Sequence, residues 1–255
     1  MTQPTQPVLL ETDGLIATLT INRPDARNAM SIEILEGMHK AVDGLASSAT
    51  SVLVITGVGK AFCAGMDLKA VLIELSGDAA VGEELLTSLA RLTLKIRNLH
   101  QVVVASVNGA AIGGGCGLTC VCDVTVSHKD AKLGFPEVDL GICPAVIAPW
   151  VVKKIGAGMA RKAMLMGGVM SGQEAFDIGL VDHLAEDRGG LEELTNTLAQ
   201  RLATGGPKAL SATKKLLNEI DGSHDEAMVL KGAGLSASVL ATPQAQAALA
   251  ARIKR

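Results

Sequence analysis

Two short apolar runs that end in glycine constrain this chain more than any other feature. Val52–Ile55 leads into Gly57-Val58-Gly59, and Val102–Val107 leads through Asn108 into Gly109-Ala110-Ala111-Ile112-Gly113-Gly114-Gly115. Near-continuous apolar character over so few residues, interrupted only by Ser106, predicts strands buried on both faces, as in a parallel sheet covered by helices. Glycine just past a strand end leaves backbone groups uncovered, so that a ligand can approach them closely.

The segments around these runs carry complementary patterns. Leu15, Ala17, Leu19 and Ile21 alternate as on a half-buried strand, and a turn follows at Asn22-Arg23-Pro24-Asp25. Ser31 is placed to cap a helix in which Leu35, Met38, Val42 and Leu45 share one face. A second helix, around Leu85 to Leu99, precedes the second strand. This alternation predicts an α/β protein with parallel strands and right-handed helical crossovers. Ser171-Gly172-Gln173-Glu174 forms a capping box, and Gly205-Gly206-Pro207 opens a helix at about Lys208 in a tail rich in alanine, leucine, lysine and glutamine. There is no repeat at solenoid periods. The expected division is a core over 1–195 and a helical C-terminal region over 196–255.

Composition removes whole classes of function. The 255 residues are 48% hydrophobic, enough for a large core. With 23 Lys plus Arg against 26 Asp plus Glu, no basic surface for nucleic acid is expected, and an absence of tyrosine with only Trp150 and three phenylalanines removes base-stacking platforms. Polar residues from Met1 to Pro7 and the lack of a long apolar run predict a cytoplasmic protein without a membrane span. The five cysteines, Cys63, Cys116, Cys120, Cys122 and Cys143, read as reduced buried thiols. Cys116, Cys120 and Cys122 with His128 lack zinc-site spacing, so no metal is expected. Glycine loops also hold phosphates, but Ala61 stands where a P-loop needs a hydroxyl, and Gly109, Gly113, Gly114 and Gly115 do not fit the dinucleotide fingerprint.

Two segments remain to be explained, Lys60-Ala61-Phe62-Cys63-Ala64-Gly65-Met66-Asp67-Leu68-Lys69 and Asn108 to Gly117. With Asn22-Arg23-Pro24, Asn28-Ala29, Gly134-Phe135-Pro136-Glu137 and Leu140-Gly141, they make the chain resemble the crotonase, or enoyl-CoA hydratase/isomerase, family over nearly its full length. The resemblance implies a crotonase-like ββα superhelix with a helical C-terminal region, and assembly into homotrimers that commonly pair into hexamers. It implies an acyl-CoA thioester substrate, with coenzyme A as part of that substrate and no separate cofactor. By the same resemblance Met66 and Gly114 supply a pair of backbone N–H donors, Gly113 and Gly117 of the second glycine loop bind substrate, Ala64, Asp67 and Lys69 lie along the acyl-CoA path, and Arg27 lies near the nucleotide end.

One departure from the family pattern bears on chemistry. Family hydratases use two glutamates, and Gly117 stands where the first would be, which leaves Glu137 as the one acid/base group that the resemblance assigns. Phe135, Val138 and Ile142 are expected to surround Glu137 with apolar groups and raise its pKa. The stretch Gly141 to Pro149 resembles methylglutaconyl-CoA hydratase-like relatives, so hydration, double-bond isomerisation, decarboxylation and a weakly catalytic CoA-binding scaffold all remain open.

Overall fold

The structure, a computed structural model, describes residues 6–67 and 79–253. Ten strands form two sheets among these residues: β1 Val8–Asp13, β2 Ile16–Ile21, β3 Val52–Gly57, β4 Ala61–Cys63, β5 Val102–Ser106, β6 Ala110–Ile112, β7 Val124–His128, β8 Lys132–Gly134, β9 Val169–Ser171 and β10 His183–Ala185. The large sheet has the order β1-β2-β3-β5-β7-β10 and the small one β4-β6-β8-β9. Consecutive strands therefore part company: β3, β5 and β7 lie in the large sheet, while β4, β6 and β8, which follow them, lie in the small one.

The nine described α-helices are α1 Ile32–Leu45, α2 Ala79–Asn98, α3 Gly114–Val121, α4 Ala148–Met166, α5 Gly172–Asp177, α6 Leu191–Ala203, α7 Pro207–Ile220, α8 Glu226–Leu240 and α9 Pro243–Ile253. Ser31 caps α1 by accepting from the Ile34 N–H, and Ser171 with Glu174 closes the capping box of α5. Among the described residues no helix is long and apolar enough to cross a membrane.

Burial on both faces explains the near-continuous apolar runs. Leu53, Ile55, Val103 and Ala105 face the main core, whereas Val52, Val54 and Val104 face a second cluster with Leu191 and Ala199 of α6. Strands β2, β3, β5, β7 and β10 run parallel to one another, as the alternation of elements predicts. The antiparallel edge strand β1 leaves four of its six residues exposed and so lacks the alternation that would announce it. Residue 195 lies within α6, where the Thr195 hydroxyl is 2.9 Å from that of Ser106 in β5.

Side-chain amides tie the two sheets together. Asn108 donates to the carbonyls of Gly57 (2.7 Å) and Gly59 (3.0 Å), where β3 leaves the large sheet. Asn28, fully buried and left-handed at φ +56°, donates to Val58 O (3.0 Å) and Ala61 O (2.7 Å). Each bond supplies a partner to a backbone carbonyl that the crossing would otherwise leave unpaired.

Candidate active site

Three neighbouring strands of the small sheet point their C-terminal ends at one place. Strand β6 pairs in parallel with β4 on one side and with β8 on the other. The segments that follow, Ala64–Met66, Gly113-Gly114 and Pro136-Glu137, emerge side by side, at the end of a parallel sheet where ligands commonly bind. All these residues line one cavity. Its remaining walls are mostly apolar and include Met30, Leu35, Leu89, Ile112, Ile142 and Leu240.

The first loop is held by a short parallel segment. Ala64 N–H donates to Arg27 O (3.0 Å), Met30 N–H to Gly65 O (2.7 Å) and Asp67 N–H to Met30 O (3.0 Å). These bonds pass over the N–H of Met66. The second loop turns at Gly113, whose φ of +56° favours glycine, and it feeds α3 so that Gly114 is the first helical residue. Among the described residues neither Met66 N–H nor Gly114 N–H has an acceptor. The helix dipole adds partial positive charge at Gly114.

Glu137 faces Gly113 directly: a Cβ added to Gly113 would lie 2.8 Å from Glu137 Oε1. Its Oε2 is buried and has no hydrogen-bond partner among the described residues. Burial pushes the carboxyl pKa from 4.5 up to about 7, against a smaller lowering by its own backbone N–H. The anticipated neighbours need correction. Phe135 is fully buried in the core and Val138 is exposed, and neither lines the cavity; of the three expected neighbours Ile142 does line it, together with Leu140 and walls from other elements.

Residues 11–247 match the profile of the enoyl-CoA hydratase/isomerase family. The chain belongs to that family. This hydratase/isomerase-family chain is 35% identical over 215 residues to the crotonyl-CoA hydratase of Syntrophomonas wolfei, covering 83% of the chain and 81% of that relative. It is 33% identical over 221 residues to the short-chain-enoyl-CoA hydratase of Clostridium acetobutylicum, with 83% and 80% covered. The crystal structure of an enoyl-CoA hydratase/isomerase from Mycobacterium paratuberculosis superposes with a TM-score of 0.87 at 26% identity, covering 98% of this chain and all of that one. These likenesses agree with the two-sheet architecture and the helical C-terminal region.

Within this enoyl-CoA hydratase/isomerase fold, Met66, Gly113, Gly114, Ala64 and Glu137 meet at the cavity, whereas Arg27, Asp67 and Gly117 do not line it. Arg27 is exposed at φ +52°, with no side-chain partner among the described residues. Asp67 is paired with Arg23 at 2.6 Å, so its carboxylate is directed to that guanidinium. Lys69 and most of the Val71 to Glu84 wall lie outside the described residues, and what is described of that wall begins α2 at Ala79.

Gly117 is a packing position. A Cβ there would lie 2.3 Å from Ile147 Cγ2 and 2.5 Å from Ile147 Cβ, so Ile147 occupies the space that a side chain at 117 would need. Because the conflict reaches Ile147 Cβ, only glycine at 147 makes room. We expect Gly117→Glu to destabilise the fold by about 3 kcal/mol through overpacking and a buried charge. Ile147→Gly should offset at least ~1 kcal/mol of that loss in the double variant, as a double-mutant cycle in urea would measure. Strictly additive losses would contradict this account of Gly117. Glycine at 117 was visible in the sequence, but its filling by Ile147, thirty residues later, had no local signal.

Proposed function

We propose that this chain acts on an unsaturated acyl-CoA thioester whose carbonyl oxygen accepts hydrogen bonds from Met66 N–H and Gly114 N–H. Two preorganised donors favour an enolate oxyanion over the neutral carbonyl, since the negative charge gains more from each bond. Glu137 is the acid/base: ionised, it takes a proton from the α carbon, and protonated, it returns one to the substrate. The apolar walls exclude water and hold the acyl chain, and the exposed guanidinium of Arg27, without a side-chain partner among the described residues, supports a place near the CoA phosphates.

The observation that carries the choice of reaction is Ile147 in the space beside Gly117. With a second acid excluded there, a single carboxylate can move a proton from the α to the γ carbon by itself, and so shift the double bond from the 3 to the 2 position. Hydration is the second reading, favoured by the names of the Syntrophomonas and Clostridium relatives. It requires the same carboxylate to activate water at the β carbon and to deliver the α proton.

A product screen in heavy-oxygen water separates the readings. The protein is incubated with crotonyl-CoA, a 3-enoyl-CoA and methylglutaconyl-CoA, and the products are resolved by mass spectrometry. The expected result is a 3-enoyl thioester converted to its 2-enoyl isomer at unchanged mass. Heavy-oxygen uptake by crotonyl-CoA would give hydration instead, and loss of carbon dioxide would give decarboxylation.

For assembly we propose a homotrimer or a hexamer of two trimers, with the helical region 196–255 as the trimerisation element. Exposed Val152 of α4 with Met228 and Leu235 of α8 supports an apolar contact of this kind.

A further inference from the structure

The loop that runs from Glu137 to Ile147 has its other anchor in the C-terminal helical region. At its start, Glu137 O accepts from Leu140 N–H and Ile142 N–H, both at 3.0 Å. At its far end, the hydroxyl of Ser236 on α8 donates to Cys143 O (2.7 Å) and accepts from Val146 N–H (3.1 Å). Ser236 is fully buried and lines the same cavity as Glu137. One helical turn earlier, Gly232 lets the loop rest on the helix backbone, since a Cβ there would lie 2.3 Å from Ala145 O. Leu240, one turn beyond Ser236, also lines the cavity.

We propose that Ser236 is a positioning residue, clamping the 143–146 segment onto α8 and thereby fixing the Glu137 loop against the cavity. A serine hydroxyl is suited to this work because it can donate to one loop carbonyl while accepting from one loop N–H. Alanine at 236 would leave a buried donor and a buried acceptor unpaired, and their recovery by water would open the loop to solvent. The proposal rests on the reading of Glu137 as the acid/base for its catalytic meaning, but the clamp itself can be observed without turnover.

The test is a carbon-13 NMR titration of the Glu137 carboxyl in the full-length protein, with the resonance assigned by its absence in Glu137→Gln. The thiols of Cys116 and Cys143 are the other titratable groups near this carboxyl among the described residues. A wild-type midpoint near 7 is expected to fall by about one pH unit in Ser236→Ala, as water enters, and to be retained in Ser236→Thr, which keeps the hydroxyl. Gly232→Ala pushes the same loop from the other contact and should also lower the midpoint, which keeps the test available if Ser236→Ala does not fold. Wild-type midpoints in the folded alanine variants, or a serine-to-threonine variant shifted as far as Ser236→Ala, would overturn the clamp. Absence of thioester turnover by the wild-type protein, measured in parallel, would instead sink the functional reading and leave the clamp standing on its titration.

Discussion

Glu137→Gln is expected to slow turnover by about 10²–10⁴-fold, the usual contribution of a positioned acid/base group, while making the folded protein more stable above pH 7. The two effects have one cause. A carboxyl whose folded pKa is about 7 and whose unfolded pKa is near 4.5 binds more protons in the native state throughout that interval. Stability from this group is therefore complete below pH 4.5 and is lost as the pH rises through 7. Glutamine carries no charge to desolvate, so the variant should gain on the order of 2 kcal/mol at pH 8 and nothing at pH 4. Urea unfolding at the two pH values measures this difference. In the wild-type protein, kcat/KM should fall about tenfold per unit below pH 7, because only the ionised carboxylate can take the α proton. A variant with unchanged rate, or one no more stable at pH 8 than at pH 4 relative to wild type, would remove Glu137 from its assigned role.

The second large effect concerns Gly114. Its N–H is the donor at the first position of α3, where proline is well tolerated because that N–H has no acceptor within the helix. Gly114→Pro thus deletes the donor with little disturbance to the helix. Any side chain at 114 must displace the tip of Met30, since a Cβ there would lie 2.7 Å from its Cε, and this flexible end can move. Gly114→Ala makes the same demand on Met30 but keeps the N–H. The proline variant is expected to have kcat/KM about 10²–10³-fold below the alanine variant, the loss typical of one oxyanion donor. Equal activity in the two variants would show that the Gly114 N–H is not used.

What the sequence disclosed follows from the length of the pattern each element can display. Strand β2 and helix α1 carry apolar periodicities, β3 and β5 carry apolar runs of four or more residues, and Ser31 and Ser171 mark helix starts by chemistry that acts locally. The strands of the small sheet have only three residues each, too few to show a period, although β4, β6 and β8 carry the site. No local pattern marked them; the crotonase resemblance, through its ββα superhelix, implied strands of this kind without placing them. Met66, Gly114 and Glu137 could be picked out because each sits in a glycine or Pro-Glu motif. Val138 was misread because neighbours in sequence were taken for neighbours in space: the turn of 3₁₀-helix at Val138–Leu140 sends it outward. Ser236 and Ile147 stayed hidden for a related reason, since their partners lie ninety and thirty residues away and neither residue type is unusual where it stands.

The most direct measurement is a crystal structure of Glu137→Gln with an enoyl-CoA thioester bound. The thioester oxygen should lie within about 3.1 Å of both Met66 N and Gly114 N. An ordered thioester with its oxygen turned away from those two nitrogen atoms would contradict the account, whatever the rate of the Glu137 variant.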